Sequence, residues 1–140
     1  GGGGLVSTMA DYARFCQMLI NGGELNGTRI LSEKSVKLMS TNVLTDEQKV
    51  NNAGNLTESG SDRLGFGLNF GIIMGAESEK SSYGNGSYFW GGAAGAWFWI
   101  DPVNDLFFIG MIQRFPKGPP SVNPDFRSVS QMFVYDSLVD

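Results

Sequence analysis

The chain has 140 residues, a net charge of -4 and a pI of about 4.7. That length allows one domain with a real core, the lack of any Lys/Arg run removes the electrostatic footprint of nucleic-acid binding, and no apolar run reaches membrane-spanning length. His is absent, which excludes a Ser-His-Asp triad and a His-ligated metal site within the chain, and a single cysteine allows no intrachain disulfide.

Gly1 to Gly4 lead into a helix capped by Ser7 or Thr8, with Asp11 in a capping-box position. Tyr12, Phe15, Cys16, Leu19 and Ile20 form its apolar stripe, and Asn21-Gly22-Gly23 ends it. Cys16 reads as a buried small hydrophobe. Residues 24–29 predict a small hairpin turning at Asn26-Gly27, and Ser32 caps a second helix. Residues 42–64 are polar and predict a long loop. In GFGLNFGII, Phe66, Leu68, Phe70 and Ile72 alternate with Gly65, Gly67, Asn69 and Gly71, the pattern of one strand with a packed face and a bare face. A polar loop over 75–87 precedes a second strand in YFWGGAAGAWFWIDP, a turn at residues 101–105, and a third strand in LFFIGMIQ. Asn123 and Pro124 predict the start of a last helix that buries Phe126, Val129 and Phe133. The fold class is α+β, an antiparallel sheet covered by helices.

Several motifs are decoys. The opening glycines lack the Lys and the preceding strand of a phosphate loop, and in GFGLNFG the third Gly falls one place late for G-x-G-x-x-G. The sequons at Asn26, Asn55 and Asn85 read as turns, as do Asp101 and Asp105. Neither G-x-S-x-G nor S-x-x-K occurs.

The candidate site is Trp90-Gly91-Gly92-Ala93. Two readings stand side by side. A strand pared of side chains lets a substrate lie against backbone N–H groups that can face a developing oxyanion, or its small residues serve close packing alone. Trp97 and Trp99 read as sheet-face aromatics.

GGGGLVSTMADYARFCQMLINGGELNGTRILSEKSV, then GFGLNFGI, then YFWGGAAGAWFWIDPVNDL resemble, in that order, the late helix and the closing strands of the serine beta-lactamase-like family. That family includes class C beta-lactamases, penicillin-binding DD-peptidases and family VIII carboxylesterases, and this chain is most similar to the esterase-like branch. The resemblance puts Trp90-Gly91-Gly92 in the place of the family's K-T-G. It implies that Gly91 and Gly92 open the strand beside a nucleophilic Ser, that the Ala93 backbone N–H supplies half the oxyanion hole, and that Trp90 walls the substrate pocket. The Lys and hydroxyl of K-T-G, which would hold a substrate carboxylate, are missing, so the resemblance favours an uncharged ester or amide over a penicillin-like acid. Tyr83-Gly84-Asn85 matches the family's Y-x-N in letters, but lies too close to Trp90 and reads as a turn.

In the family S-x-x-K lies near the N-terminus. The resemblance therefore implies that residues 1–140 are the C-terminal segment of a single hydrolase domain, inactive without the nucleophile-bearing N-terminal part. The implied partners are that part and a small-molecule ester or amide, with no cofactor, no nucleic acid and no membrane span. The alternatives are a beta-lactamase or DD-peptidase/amidase of the same family, and a non-catalytic binding domain derived from the fold.

Overall fold

The computed structural model describes residues 4–48, 64–75, 83–114 and 126–138. Thr8 caps α1 (Met9–Ile20) by accepting from the Asp11 N–H at 3.1 Å. The helix stops in a Schellman motif: the Gly23 N–H reaches the Met18 carbonyl and the Gly22 N–H the Leu19 carbonyl, with Gly22 at φ +67°. β1 (Glu24–Leu25) and β2 (Thr28–Arg29) form the expected hairpin, its turn residues Asn26 and Gly27 both at positive φ. Ser32 caps α2 (Glu33–Met39).

Five strands follow: β3 (Leu64–Phe66), β4 (Gly71–Ile73), β5 (Tyr88–Gly91), β6 (Trp97–Asp101) and β7 (Leu106–Gly110). They pair antiparallel in the order β3-β4-β5-β6-β7. A last helix, α3, spans Phe126–Asp136.

Each face of the sheet carries its own helical layer. On one face Phe98, Ile100, Tyr88, Ile72 and Phe70 pack with Cys16, Leu19 and Val36 of α1 and α2 to make the core. On the other, Trp99 stacks on Phe108 with centroids 4.4 Å apart, and Tyr83 stands edge-on to both Trp99 and Tyr135. α3 covers this second face lengthwise. Arg127 lies over Gly91 at one end of the strands and Tyr135 bonds Asp101 at the other. The eight steps from Arg127 to Tyr135 rise about 12 Å, close to the roughly 13 Å covered by the four steps from Trp97 to Asp101.

Three expectations are corrected. Residues 65–73 are two strands, not one: the Gly67 N–H bonds the Phe70 carbonyl, Phe66 pairs with Gly71, and Leu68 stands exposed in the turn between. The stretch 88–100 is likewise two strands, β5 and β6, joined by a turn through Gly92–Ala96. The small residues are therefore a corner and not a gap in a strand. Finally, Phe126, Val129 and Phe133 face outward on α3, and Ser130, Gln131, Val134 and Tyr135 face inward. The Tyr135 hydroxyl and the flat Trp-Phe layer below it set that rotation, overriding the apolar stripe. In the polar stretch 42–64, residues 46–48 are helical, opened by Thr45 and Gln48, each accepting from the other's backbone N–H. Asn55, Asn123 and Pro124 lie outside the described residues.

Candidate functional site

Strand alternation sorts the candidate residues. Tyr88 points into the α1 side of the sheet, so Trp90 does as well, while Phe89 and Gly91 face α3. Trp90 is 45% exposed and stands edge-on to Phe66 at 5.3 Å. Its cross-strand partner is Phe98, against which Tyr12 of α1 packs at 5.2 Å. The indole thus stands part-exposed at the end of the sheet, on the face that α1 covers.

Beyond Gly91 the chain reverses. The Gly92 N–H donates to the Ala96 carbonyl at 2.7 Å and the Gly95 N–H to the Gly92 carbonyl at 3.0 Å. Neither Ala93 nor Ala94 has positive φ, and Gly95 lies at +95°. These bonds and angles define a type I turn with a left-handed glycine bulge, a three-residue hairpin loop. The turn leaves the N–H of its second residue, Ala93, unused, and among the described residues no acceptor is placed on it. Ala93 is exposed.

The glycines differ in why they are bare. A Cβ on Gly91 would stand 2.6 Å from Arg127 Nη2, and one on Gly95 2.7 Å from Ile112 Cγ1. Both are close-packing glycines. A Cβ on Gly92 would meet only the Ala96 carbonyl at 3.8 Å. Packing explains two of the three, and Gly92 keeps an open approach to the turn. The structure brings Trp90, Gly92 and Ala93 to one exposed corner and places Gly91 on the opposite face.

Sequence reasoning missed two arrangements. Asp101, fully buried, accepts five hydrogen bonds: from the Val103 and Asn104 N–H groups on Oδ1, and from the Gly84 N–H, the Asn104 amide and the Tyr135 hydroxyl on Oδ2. Burial raises its pKa, but the bonds from Tyr135, Asn104 and Gly84 outweigh that and hold the carboxyl below its ordinary range. Burial, then Asp101, drives the Tyr135 phenol upward. Trp99 Nε1 is buried without an acceptor in hydrogen-bonding geometry, though its nearness to the Tyr135 oxygen works against that rise. The D-P-V-N-D turn announces the local part of this cluster, and nothing in sequence announces Tyr135. The second is Arg127 over Gly91, which has no local signal at all.

The remaining titratable groups near the core are inert. Burial pushes the Cys16 thiol up to about 12, and raises Tyr12 and Tyr88, each further raised by Cys16. Among the described residues no cluster of three His, Cys, Asp or Glu could hold a metal, and no helix is long and apolar enough to cross a membrane. What the corner offers is an exposed backbone donor, an aromatic wall and bare backbone between them.

A family model described as "Beta-lactamase" matches residues 1–129. The chain belongs to the beta-lactamase family. Two curated relatives from Mycobacterium tuberculosis, "Uncharacterized protein MT1414" of strain CDC 1551 / Oshkosh and "Protein Rv1367c" of strain ATCC 25618 / H37Rv, are each 41% identical over 118 residues. The match takes in 82% of this chain and 29% of each relative, so this beta-lactamase-family chain spans less than a third of their length. Among solved structures, unliganded simvastatin synthase (LovD) from Aspergillus terreus superposes with a TM-score of 0.65 at 20% identity, over 89% of this chain and 32% of that one. A LovD6 mutant of the same enzyme gives 0.65 at 21%, over 93% and 33%. At that identity the likeness establishes the fold, an antiparallel sheet with flanking helices.

Proposed function

We propose that the chain supplies one wall and half the oxyanion hole of a serine hydrolase that acts on uncharged esters through an acyl-enzyme. The observation that carries this reading is the unused, exposed Ala93 N–H beside Trp90, at a corner that Gly92 leaves open. A backbone donor held by a hydrogen-bonded turn needs no reorganisation as charge develops, which is what stabilises a tetrahedral oxyanion. The nucleophile is a Ser activated by Lys and Tyr on the part of the hydrolase that this chain does not include. Trp90 in place of a Lys favours an acyl or alcohol group without charge.

The test is Ala93→Pro in the complete protein. Pro suits the second position of a type I turn and removes only the N–H. The expected result is a loss of about 10²–10³ in kcat with an unchanged fold. Undiminished kcat sinks the oxyanion assignment. A fluorophosphonate probe tests the wider reading: it should label the complementary segment and leave residues 1–140 unlabelled. No labelling anywhere would leave the non-catalytic binding domain.

A lactam or peptide hydrolase is the second reading. Its substrate's carboxylate would have to be held without the family's Lys, since Arg127 lies over Gly91 on the face opposite Trp90. Rates on neutral esters against carboxylate-bearing lactams separate the two.

A further inference from the structure

Asn-Gly occurs three times in the sequence, at Asn21, Asn26 and Asn85. It is the pair most prone to internal chemistry, because a nitrogen followed by no side chain reaches the asparagine Cγ with little hindrance. All three asparagines are exposed, so access to water does not separate them. What separates them is how firmly hydrogen bonds hold each pair.

At Asn21 both parts are tied. Gln17 Nε2 donates to Asn21 Oδ1 at 3.0 Å, Asn21 Nδ2 donates to the Glu24 carbonyl at 3.1 Å, and the Gly22 N–H donates to the Leu19 carbonyl at 3.0 Å. At Asn85 both parts are tied again: Oδ1 accepts from the Gly75 N–H at 2.9 Å, and the Gly86 N–H donates to the Ile73 carbonyl at 2.9 Å. Asn26-Gly27 differs in both respects. Among the described residues the Asn26 amide has no hydrogen-bond partner and the Gly27 N–H has no acceptor.

The hairpin that carries this pair is fastened at its base and not at its tip. The Gly23 carbonyl accepts from the Ile30 and Leu31 N–H groups, and Arg29 Nη1 donates to the Gly22 and Leu31 carbonyls. Nearer the tip only two residue pairs, Glu24 with Arg29 and Leu25 with Thr28, close it. A two-stranded ribbon that short is marginal, so its tip opens at low cost. Opening matters here. The turn holds Asn26 at φ +51° and Gly27 at +77°, and attack requires the peptide between them to swing toward the side chain.

We infer that Asn26 is a self-modification site, the place where the folded chain first loses an amide. The Gly27 nitrogen, its proton passed to water or hydroxide, attacks Asn26 Cγ. The Cγ–Nδ2 bond breaks and the nitrogen leaves as ammonia. Water then opens the cyclic imide on one side or the other, leaving aspartate or isoaspartate, and only water is consumed in sum. Either product adds a negative charge to a hairpin in which Arg29 already faces Glu24 and Glu33. Isoaspartate also lengthens the backbone by a carbon, which a two-residue turn cannot absorb without moving Leu25 off Thr28. Leu25, Ile30 and Leu31 line an apolar cavity of about 440 Å³ with Phe15 and Met18 of α1, so the modification loosens one side of it. The site uses no residue of the Trp90–Ala93 corner, and its test reads no activity.

The experiment is incubation of the intact chain in mildly alkaline buffer, with and without urea. Peptide mapping by mass spectrometry locates the lost amide, and methyl transfer from S-adenosylmethionine by a protein isoaspartate methyltransferase counts the isoaspartate. Each hydrogen bond that must break first slows a site by roughly 2–10-fold, so in native buffer Asn26 should lead Asn85 and Asn21 by about tenfold or more. In urea the three sites should run together. Asn26→Gly, which suits the positive φ, should remove the early isoaspartate signal, and Asn85→Gly should leave it. Asn21 or Asn85 reacting as fast as Asn26 in native buffer overturns the inference. So does an Asn26 lead that persists undiminished in urea, because the sequence and not the fold then sets the order.

Discussion

Replacing Asp101 by Asn tests what fastens the last helix. The two side chains have the same shape, but an amide NH2 cannot accept. If it takes the Oδ1 position it meets the N–H groups of Val103 and Asn104; at Oδ2 it meets Gly84, Asn104 and Tyr135. Either way at least two part-buried donors lose their acceptor, at about 1–3 kcal/mol each. The expected loss is therefore about 2–6 kcal/mol out of a total stability of about 5–15 kcal/mol. Tyr135→Phe removes one hydrogen bond to the carboxylate, leaves four donors in place, and costs about 1.5–3 kcal/mol. Urea unfolding followed by Trp fluorescence reads both, because Trp99 stands against Tyr83 and Phe108. Acid gives an independent check. The Asp101 pKa is lowered in the folded state, so its contribution is complete above the ordinary Asp value near 4 and is lost as pH falls through the folded value. The wild type should lose stability over that acid window and Asp101→Asn should show a flatter acid limb. Equal urea midpoints for Asp101→Asn and wild type would refute the argument that this carboxylate holds loop, turn and helix together.

Other outcomes follow from single positions. Gly95→Ala should cost well over the about 1 kcal/mol typical of strain alone, since its Cβ meets Ile112 at 2.7 Å, whereas Gly27→Ala, also at positive φ but with nothing within 4 Å, should cost only the strain; urea midpoints compare them. Cys16, fully buried with its thiol pushed up to about 12, should resist maleimide at pH 8 in the folded chain and react at once in denaturant. Phe133→Ser should shift the unfolding midpoint by under about 0.5 kcal/mol in the chain alone, because the ring is 62% exposed; a larger loss would mean that α3 sits in another rotation.

The local rules carried the first forty residues. Thr8, the Gly22-Gly23 stop, the Asn26-Gly27 turn and Ser32 each act through hydrogen bonds within a few residues, and each stands where its residue type predicts. Alternation failed where a turn was made without breaking the pattern. Leu68 keeps the period of Phe66 and Phe70 yet sits in a corner, and the Gly92–Ala96 corner hides within a run that reads as one strand. Both hairpins are closed by pairings that only the folded register reveals. The rotation of α3 was out of reach for a related reason: its fixing contacts, Tyr135 on Asp101 and Arg127 on Gly91, are more than thirty residues apart in the chain. For the site, the residues Trp90, Gly92 and Ala93 were legible, while the division of labour among the glycines needed the neighbours of each missing Cβ.

The strand order has a kinetic meaning. Every pairing in the sheet joins consecutive strands, β3 to β4 and so on to β7, and three of the four connections are short turns. Such a meander can zip up hairpin by hairpin with little loop entropy to overcome at each step, the low-contact-order route to rapid assembly. Only the helices ask for distant partners, α1 when Tyr12 and Cys16 meet the sheet around Phe98, and α3 when Tyr135 finds Asp101 across 34 residues. The sheet should therefore form as an early unit, with docking of the helices on its two faces as the later, slower events that commit the chain to its final state.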